Sequence, residues 1–127
     1  MEFFCYHRDR PGSGALREEL LDAHWTYMDR YEKELIARGP TFADDDTATG
    51  SVHIVDLPDA AAARAFAFDE PNYQAGVYRD VLVRRWRNLL DRTMWEFPAA
   101  ERAETATWCW AWAPARSRIP SRPTARN

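Results

Sequence analysis

Aromatic and apolar side chains dominate the start of the chain, where Glu2-Phe3-Phe4-Cys5-Tyr6-His7-Arg8 predicts a first strand over residues 2–8. A loop with Pro11, Gly12 and Gly14 follows. From Ala15 to Arg38 the residues Leu16, Leu20, Ala23, Tyr27, Tyr31 and Leu35 recur at helical spacing. Ser13 is a suitable cap for that helix, and Gly39-Pro40 is a strong stop signal. Thr41 to Asp45 reads as a strand edge or an extended loop, and residues 47–50 as a turn. Ser51 to Leu57 alternates as a strand should. Asp59 is placed to cap a second helix running through Phe68, built on Ala62, Ala63, Phe66 and Ala67. Residues 69–76 break it, and Val77 to Arg87 reads as the last core strand. The order is β-α-β-β-α-β: an α+β, ferredoxin-like domain with a four-stranded antiparallel sheet and its helices on one face.

Such a sheet has a second face that its helices leave uncovered. Phe3, Cys5 and His7 alternate with Phe4 and Tyr6, so neither side of the first strand is polar. Burial on both sides predicts a homodimer packed sheet to sheet. Residues 88–97 still carry Leu89, Leu90, Met94, Trp95 and Phe97, and predict one more strand or an arm. The domain is therefore expected over 1–97, with a partly disordered extension over 98–127. That extension holds Trp108, Trp110 and Trp112, then a stretch with Arg116, Arg118, Arg122 and Arg126.

At 127 residues the chain fits one domain, and its net charge of −3 favours neither nucleic acid nor an anionic membrane as partner. Lys33 is the sole lysine among 17 basic residues, which points to a GC-rich bacterial genome. The N-terminus lacks a basic, apolar leader, and no apolar run is long enough to span a membrane. Cys5 and Cys109 suggest no disulfide framework, so a cytoplasmic location is expected.

Titratable side chains supply the candidate chemistry. His24 lies on the apolar stripe of the first helix, and Asp44, Asp45 and Asp46 follow the Gly-Pro stop. A histidine so placed is more often part of a packed core than a proton-transfer group. Arg17 lies seven residues before His24, on the same stripe, where it serves either as an anion clamp or as a surface ion-pair partner. Tyr6, Trp25 and Tyr73 are candidates to line an aromatic pocket or to fill the core. Glu70 is either a pocket acid or the turn residue before Pro71. His7 and His53 fall on strands that this fold makes neighbours, but no HxH, HExxH or Cys/His cluster supports a metal, and none is expected. No glycine-rich phosphate loop is present, so no cofactor is expected either. Cys5 reads as packing, not as a nucleophile.

Several of these pieces together resemble the YciI (YCII-related) family. They are Glu18–His24, Gly39-Pro40 with Thr41–Asp45, Thr49-Gly50-Ser51, Ala62/Ala63 with Phe66, and Glu70-Pro71 followed by Ala75-Gly76-Val77-Tyr78. The likeness covers residues 1–97 in element order. It implies a dimeric α+β barrel of ferredoxin-like subunits and a pocket holding a histidine and an aspartate. By position these are His24 and Asp45. Two features depart from the family pattern: its usual arginine three residues before the histidine is Leu21, and the acid before the proline is Glu70. The resemblance implies cofactor-free acid–base chemistry, of isomerase, lyase or cyclase type, on a small cyclic or aromatic molecule, with His24 and Asp45 catalytic. The alternative is a non-catalytic dimeric module that binds a small ligand or another protein.

Overall fold

The computed structural model describes residues 1–97. Its elements are β1 (Glu2–Asp9), α1 (Gly14–Glu19), α2 (Leu21–Asp29), β2 (Leu35–Phe42), β3 (Ala48–Asp56), α3 (Ala60–Phe68), α4 (Pro71–Gln74) and β4 (Tyr78–Arg85), then a 3-10 turn at Met94–Glu96. The sheet order is β2-β3-β1-β4, and each adjacent pair is antiparallel. With α1 and α2 as one bent helical segment, this is the ferredoxin-like arrangement the pattern predicts.

Alternation along the two central strands sets the core. Phe3, Cys5 and His7 of β1 and Ser51, His53 and Val55 of β3 are all buried. Met28, Ala63, Phe66 and Ala67 pack on this layer from α2 and α3. Burial pushes the Cys5 thiol up to about 12, which suits a packing residue and not a nucleophile. The opposite parity, Phe4, Tyr6, Val52, Ile54 and Leu82, is only half-buried.

One helical boundary departs from expectation. The segment expected over Ala15–Arg38 bends at Leu20 and ends at Asp29. The chain then tightens: the N–H groups of Arg30, Tyr31 and Glu34 donate to the carbonyls three residues earlier. Leu35 begins β2, so Gly39-Pro40 lies inside a strand instead of stopping a helix. Two periodicities coincide here. Leu35 sits one helical turn after Tyr31, and it is also the inward residue opposite Val55. Because β2 is an edge strand, it can place a proline nitrogen facing away from the ladder. Ser13 precedes α1 as expected but makes no side-chain capping bond. Asp59 does cap α3, accepting from the Ala62 N–H at 2.8 Å.

Residues 88–97 form an arm, not a strand. The Asn88 N–H donates to the Glu2 carboxylate at the start of β1, and the Arg38 N–H of β2 meets the Met94 sulfur. The arm therefore joins the β1 side of the sheet to its β2 edge. The Trp108, Trp110 and Trp112 cluster and the basic tail lie outside the described residues.

Gly50 fixes how closely β3 approaches β1. A Cβ there would lie 2.2 Å from the His7 carbonyl oxygen, a backbone atom that cannot step aside. Gly50→Ala should therefore destabilise the fold by about 2–3 kcal/mol, an overpacking cost. Urea unfolding monitored by circular dichroism measures it, and an unchanged midpoint would show that the two strands separate freely.

Candidate active site

His24 enters the core because its neighbours on α2, Tyr27 and Met28, are buried with it. Its partner comes from the turn after α3. Glu70 adopts an extended backbone, and its carboxylate caps α4 by accepting the Tyr73 N–H through Oε2 at 3.0 Å. Pro71 suits the first helical position, where no N–H is needed. Gly76 ends the turn at φ +83, a left-handed conformation that favours glycine. This local geometry aims the other carboxylate oxygen inward, where Oε1 lies 2.5 Å from His24 Nδ1. Both side chains are buried, at 2% and 0% exposure.

Burial alone would raise the Glu70 pKa. The hydrogen bond from His24 leads the causes that offset it and hold the carboxyl below its ordinary range. An ionised carboxylate only accepts, so His24 Nδ1 carries the proton and donates. In the neutral ring, Nε2 is then the basic nitrogen. A histidine oriented by a carboxylate in this way has the tautomer needed for proton transfer at Nε2.

The other two histidines of the chain lie beside this pair. His53 stands 5.9 Å from His24 and 5.2 Å from His7, ring centre to ring centre. His7 Nε2 donates to the Ala67 carbonyl at 3.1 Å, and its ring lies 4.8 Å from that of Tyr78. Burial, the leading cause, pushes His7 down to about 4 and His53 well below its ordinary value. Both rings are therefore uncharged near neutrality. Among the described residues, no group of three or more His, Cys, Asp or Glu side chains is arranged to hold a metal ion.

Arg17 of α1 lies near the histidines and lowers the pKa of both His7 and His53 by its charge. It pairs with Asp9 at 2.6 Å and donates to the Ser51 hydroxyl. Ser51 is the cross-strand neighbour of His7. Arg17 also lines a groove of about 940 Å³, together with Tyr6, Leu21, Pro40, Phe42 and Thr49. Asp9 lines the groove with Arg17, whereas neither His24 nor Glu70 does.

The site residues expected from sequence divide accordingly. His24 and Glu70 form one buried pair, and Arg17 bonds to Asp9 and Ser51. Tyr6 projects from the other side of β1 and borders the groove. Trp25 lies beneath the Arg38 guanidinium, 4.6 Å from the ring centre. Tyr73 contributes its backbone N–H to Glu70 and packs its ring edge-on against Phe68. Asp45 requires a correction: it is exposed in the β2–β3 turn, where its carboxylate accepts the Thr47 N–H at 3.0 Å. The carboxylate bonded to His24 is that of Glu70. Asp9, His7 and His53 were not expected at the site. The adjacency of the strands bearing His7 and His53 was the available signal.

The uncharged histidines tie stability to pH. Folding holds the His7 pKa at about 4 against an ordinary 6.5, so the unfolded chain binds more protons between those limits. Stability should be full above pH 6.5 and decline as pH falls toward 4, with His7 accounting for roughly 3 kcal/mol. His53 acts in the same direction, and Glu70 adds a loss as pH falls through its folded-state pKa. Urea midpoints measured across this range should follow the slope, and His7→Phe should flatten it. A flat wild-type profile would contradict the burial of uncharged rings.

Comparison with known proteins places the chain in a family. A protein of Haemophilus influenzae is 28% identical over 97 residues, covering 70% of this chain and 99% of its own length. Among solved structures, the 5-chloro-2-hydroxyhydroquinone dehydrochlorinase (TftG) from Burkholderia phenoliruptrix AC1100, in complex with 2,5-dihydroxybenzoquinone, superposes with a TM-score of 0.63 at 30% identity. The match covers 68% of this chain and 94% of that one. The model of the YCII-related domain matches residues 1–87, the segment that carries all four strands, His24 and Glu70, and the chain belongs to that family.

Proposed function

We propose that the protein is a cofactor-independent acid–base enzyme, of isomerase, lyase or cyclase type, acting on a small cyclic or aromatic molecule. The observation that carries this reading is the buried His24 Nδ1–Glu70 Oε1 contact of 2.5 Å. The dehydrochlorinase at 30% identity supports it with a reaction that removes a proton and a leaving group. His24 Nε2 takes a proton next to an oxygen-bearing carbon, and the bonding pair released moves into the ring to expel or relocate a group. Glu70 stabilises the imidazolium that results. A positioned base supplies about 10²–10⁴-fold of such a rate enhancement. The remainder falls to substrate placement. Ser51, His7 and His53 make the buried layer of the central strands polar, which fits a reacting site better than a purely apolar docking module.

The working unit in this reading is a homodimer formed through the helix-free sheet face. Phe4, Tyr6, Val52, Ile54 and Leu82 form the apolar band that would be covered. Light scattering should give twice the 14.8 kDa chain mass. A monomer at micromolar concentration would remove this part of the proposal.

The catalytic test starts from elimination of chloride from 5-chloro-2-hydroxyhydroquinone, then extends to other hydroxylated aromatics, lactones and enol-forming ketones. His24→Ala should lower kcat by about 10²–10⁴-fold with the fold intact by circular dichroism. Glu70→Gln should lower it by a smaller factor, because the amide still caps α4 but no longer stabilises the imidazolium. Asp45→Asn should leave it unchanged. Full turnover in His24→Ala would end the acid–base reading and favour a ligand-binding module.

A further inference from the structure

Arg38 of β2 is buried, at 9% exposure, yet its guanidinium makes no ion pair or hydrogen bond with any described residue. Asp29 and Glu32 attract it from beyond that range. What holds the group in place is aromatic. The Trp25 ring of α2 is centred 4.6 Å from the guanidinium carbon, and the Trp95 ring of the arm 5.9 Å. Trp95 is set there by the 3-10 turn, which Thr93 and Glu96 close with reciprocal bonds. The neighbouring Met94 sulfur lies 3.2 Å from the Arg38 backbone nitrogen and fixes the turn to β2.

Stacking engages the faces of a guanidinium and leaves its five N–H groups, all in the plane, without acceptors. Nε is sealed from solvent with no partner. The two terminal nitrogens also bond to no described residue, but they are open to solvent. Met94 and Trp95 beside them are each 40% exposed. The seam between α2 and the arm therefore presents a charged N–H fork that is reachable from outside and walled by two indoles. A cation this deep is costly unless an acceptor fills the fork. A neutral carbonyl or hydroxyl would leave its charge uncompensated. A carboxylate or phosphate takes two N–H groups in parallel and neutralises the charge as well.

We propose that Arg38, held between Trp25 and Trp95, is a binding site for a small oxyanion, a carboxylate or phosphate group presented edge-on to the guanidinium. Arginine suits the place because it alone combines a flat face for stacking with a fork for two acceptors; lysine offers a point charge without either. The site needs no proton transfer and so does not depend on the acid–base reading of His24. Trp25 is the side chain the two regions share, its ring centred 5.9 Å from that of His24.

The test is calorimetric titration of the intact chain with acetate, benzoate and inorganic phosphate in turn, at low ionic strength where screening is least. Wild-type protein should bind at least one of them. Tighter binding of acetate or benzoate assigns the site to a carboxylate, and tighter binding of phosphate assigns it to a phosphoryl group. Arg38→Met, which keeps an unbranched stem but no charge, should weaken the preferred anion by about ten- to a hundredfold. Arg38→Lys should fall between the two. Should the apolar variant fail to fold, Arg38→Gln replaces it and should show the same loss. The preferred anion should also raise the melting temperature of wild type and leave that of the uncharged variant where it was. Equal affinity in wild type and the uncharged variant would mean adventitious binding elsewhere, and it overturns the proposal. Failure of wild type to bind any of the three overturns it too, since the guanidinium would then serve for stacking alone.

Discussion

The buried carboxylate of Glu70 is the constraint around which the interior is arranged. One oxygen closes the α4 turn and the other holds His24, so a single side chain ties the last crossover to the first helical segment. An ionised group at 0% exposure is costly unless each lone-pair direction is used. Here an N–H and an imidazole supply the bonds. The position of His24 is therefore not an independent feature of α2. It is fixed by whether the Glu-Pro turn forms, and that turn depends in its own right on Pro71 at the start and Gly76 at the end.

Most of the fold was legible in the chain because its strands alternate and its turns are marked. β1, β3 and β4 follow from aromatic and β-branched runs, and α3 from the Asp59 cap and its alanine-rich body. What misled was the stretch around Tyr31 and Leu35. Spacing of four is a helical signature, yet a helix that ends at Asp29 and a strand that begins at Leu35 can place apolar residues at the same interval. Gly39-Pro40 compounded the error, since the pair breaks helices in general but is tolerated at a sheet edge. Local propensity could not decide between the two. The pairing of β2 with β3, set by contacts from distant sequence, did.

The site was legible in part, and the division is instructive. His24 and Glu70 each carried a local signal, the first its place on an apolar stripe and the second its place before a proline. Their pairing carried none, because 46 residues separate them and only the packing of α4 against α2 joins them. Asp45 was implied by the family resemblance, as the aspartate that follows Gly-Pro. The turn after β2 instead leaves it in solvent, where its carboxylate organises the hairpin through Thr47.

The remaining histidines show why a polar interior and a stable interior pull apart in a domain of this size. Phe66 packs edge-on against His53 and Tyr31, and the Tyr27 hydroxyl reaches the Phe66 carbonyl. Aromatic contacts thus surround the imidazole cluster on its α3 side and offset part of the cost of its unpaired nitrogens. Leucine or valine at positions 7 and 53 would fill the same layer without that cost. Sites that bind or react keep such groups at the expense of stability, because a pocket already satisfied by its own protein has nothing left to offer a ligand. The same burial that weakens the fold keeps His7 and His53 uncharged, and an uncharged imidazole presents a donor and an acceptor at once. Desolvation is therefore what gives the cluster its chemical character, and the central strands, which exclude water most completely, are where that character can be maintained.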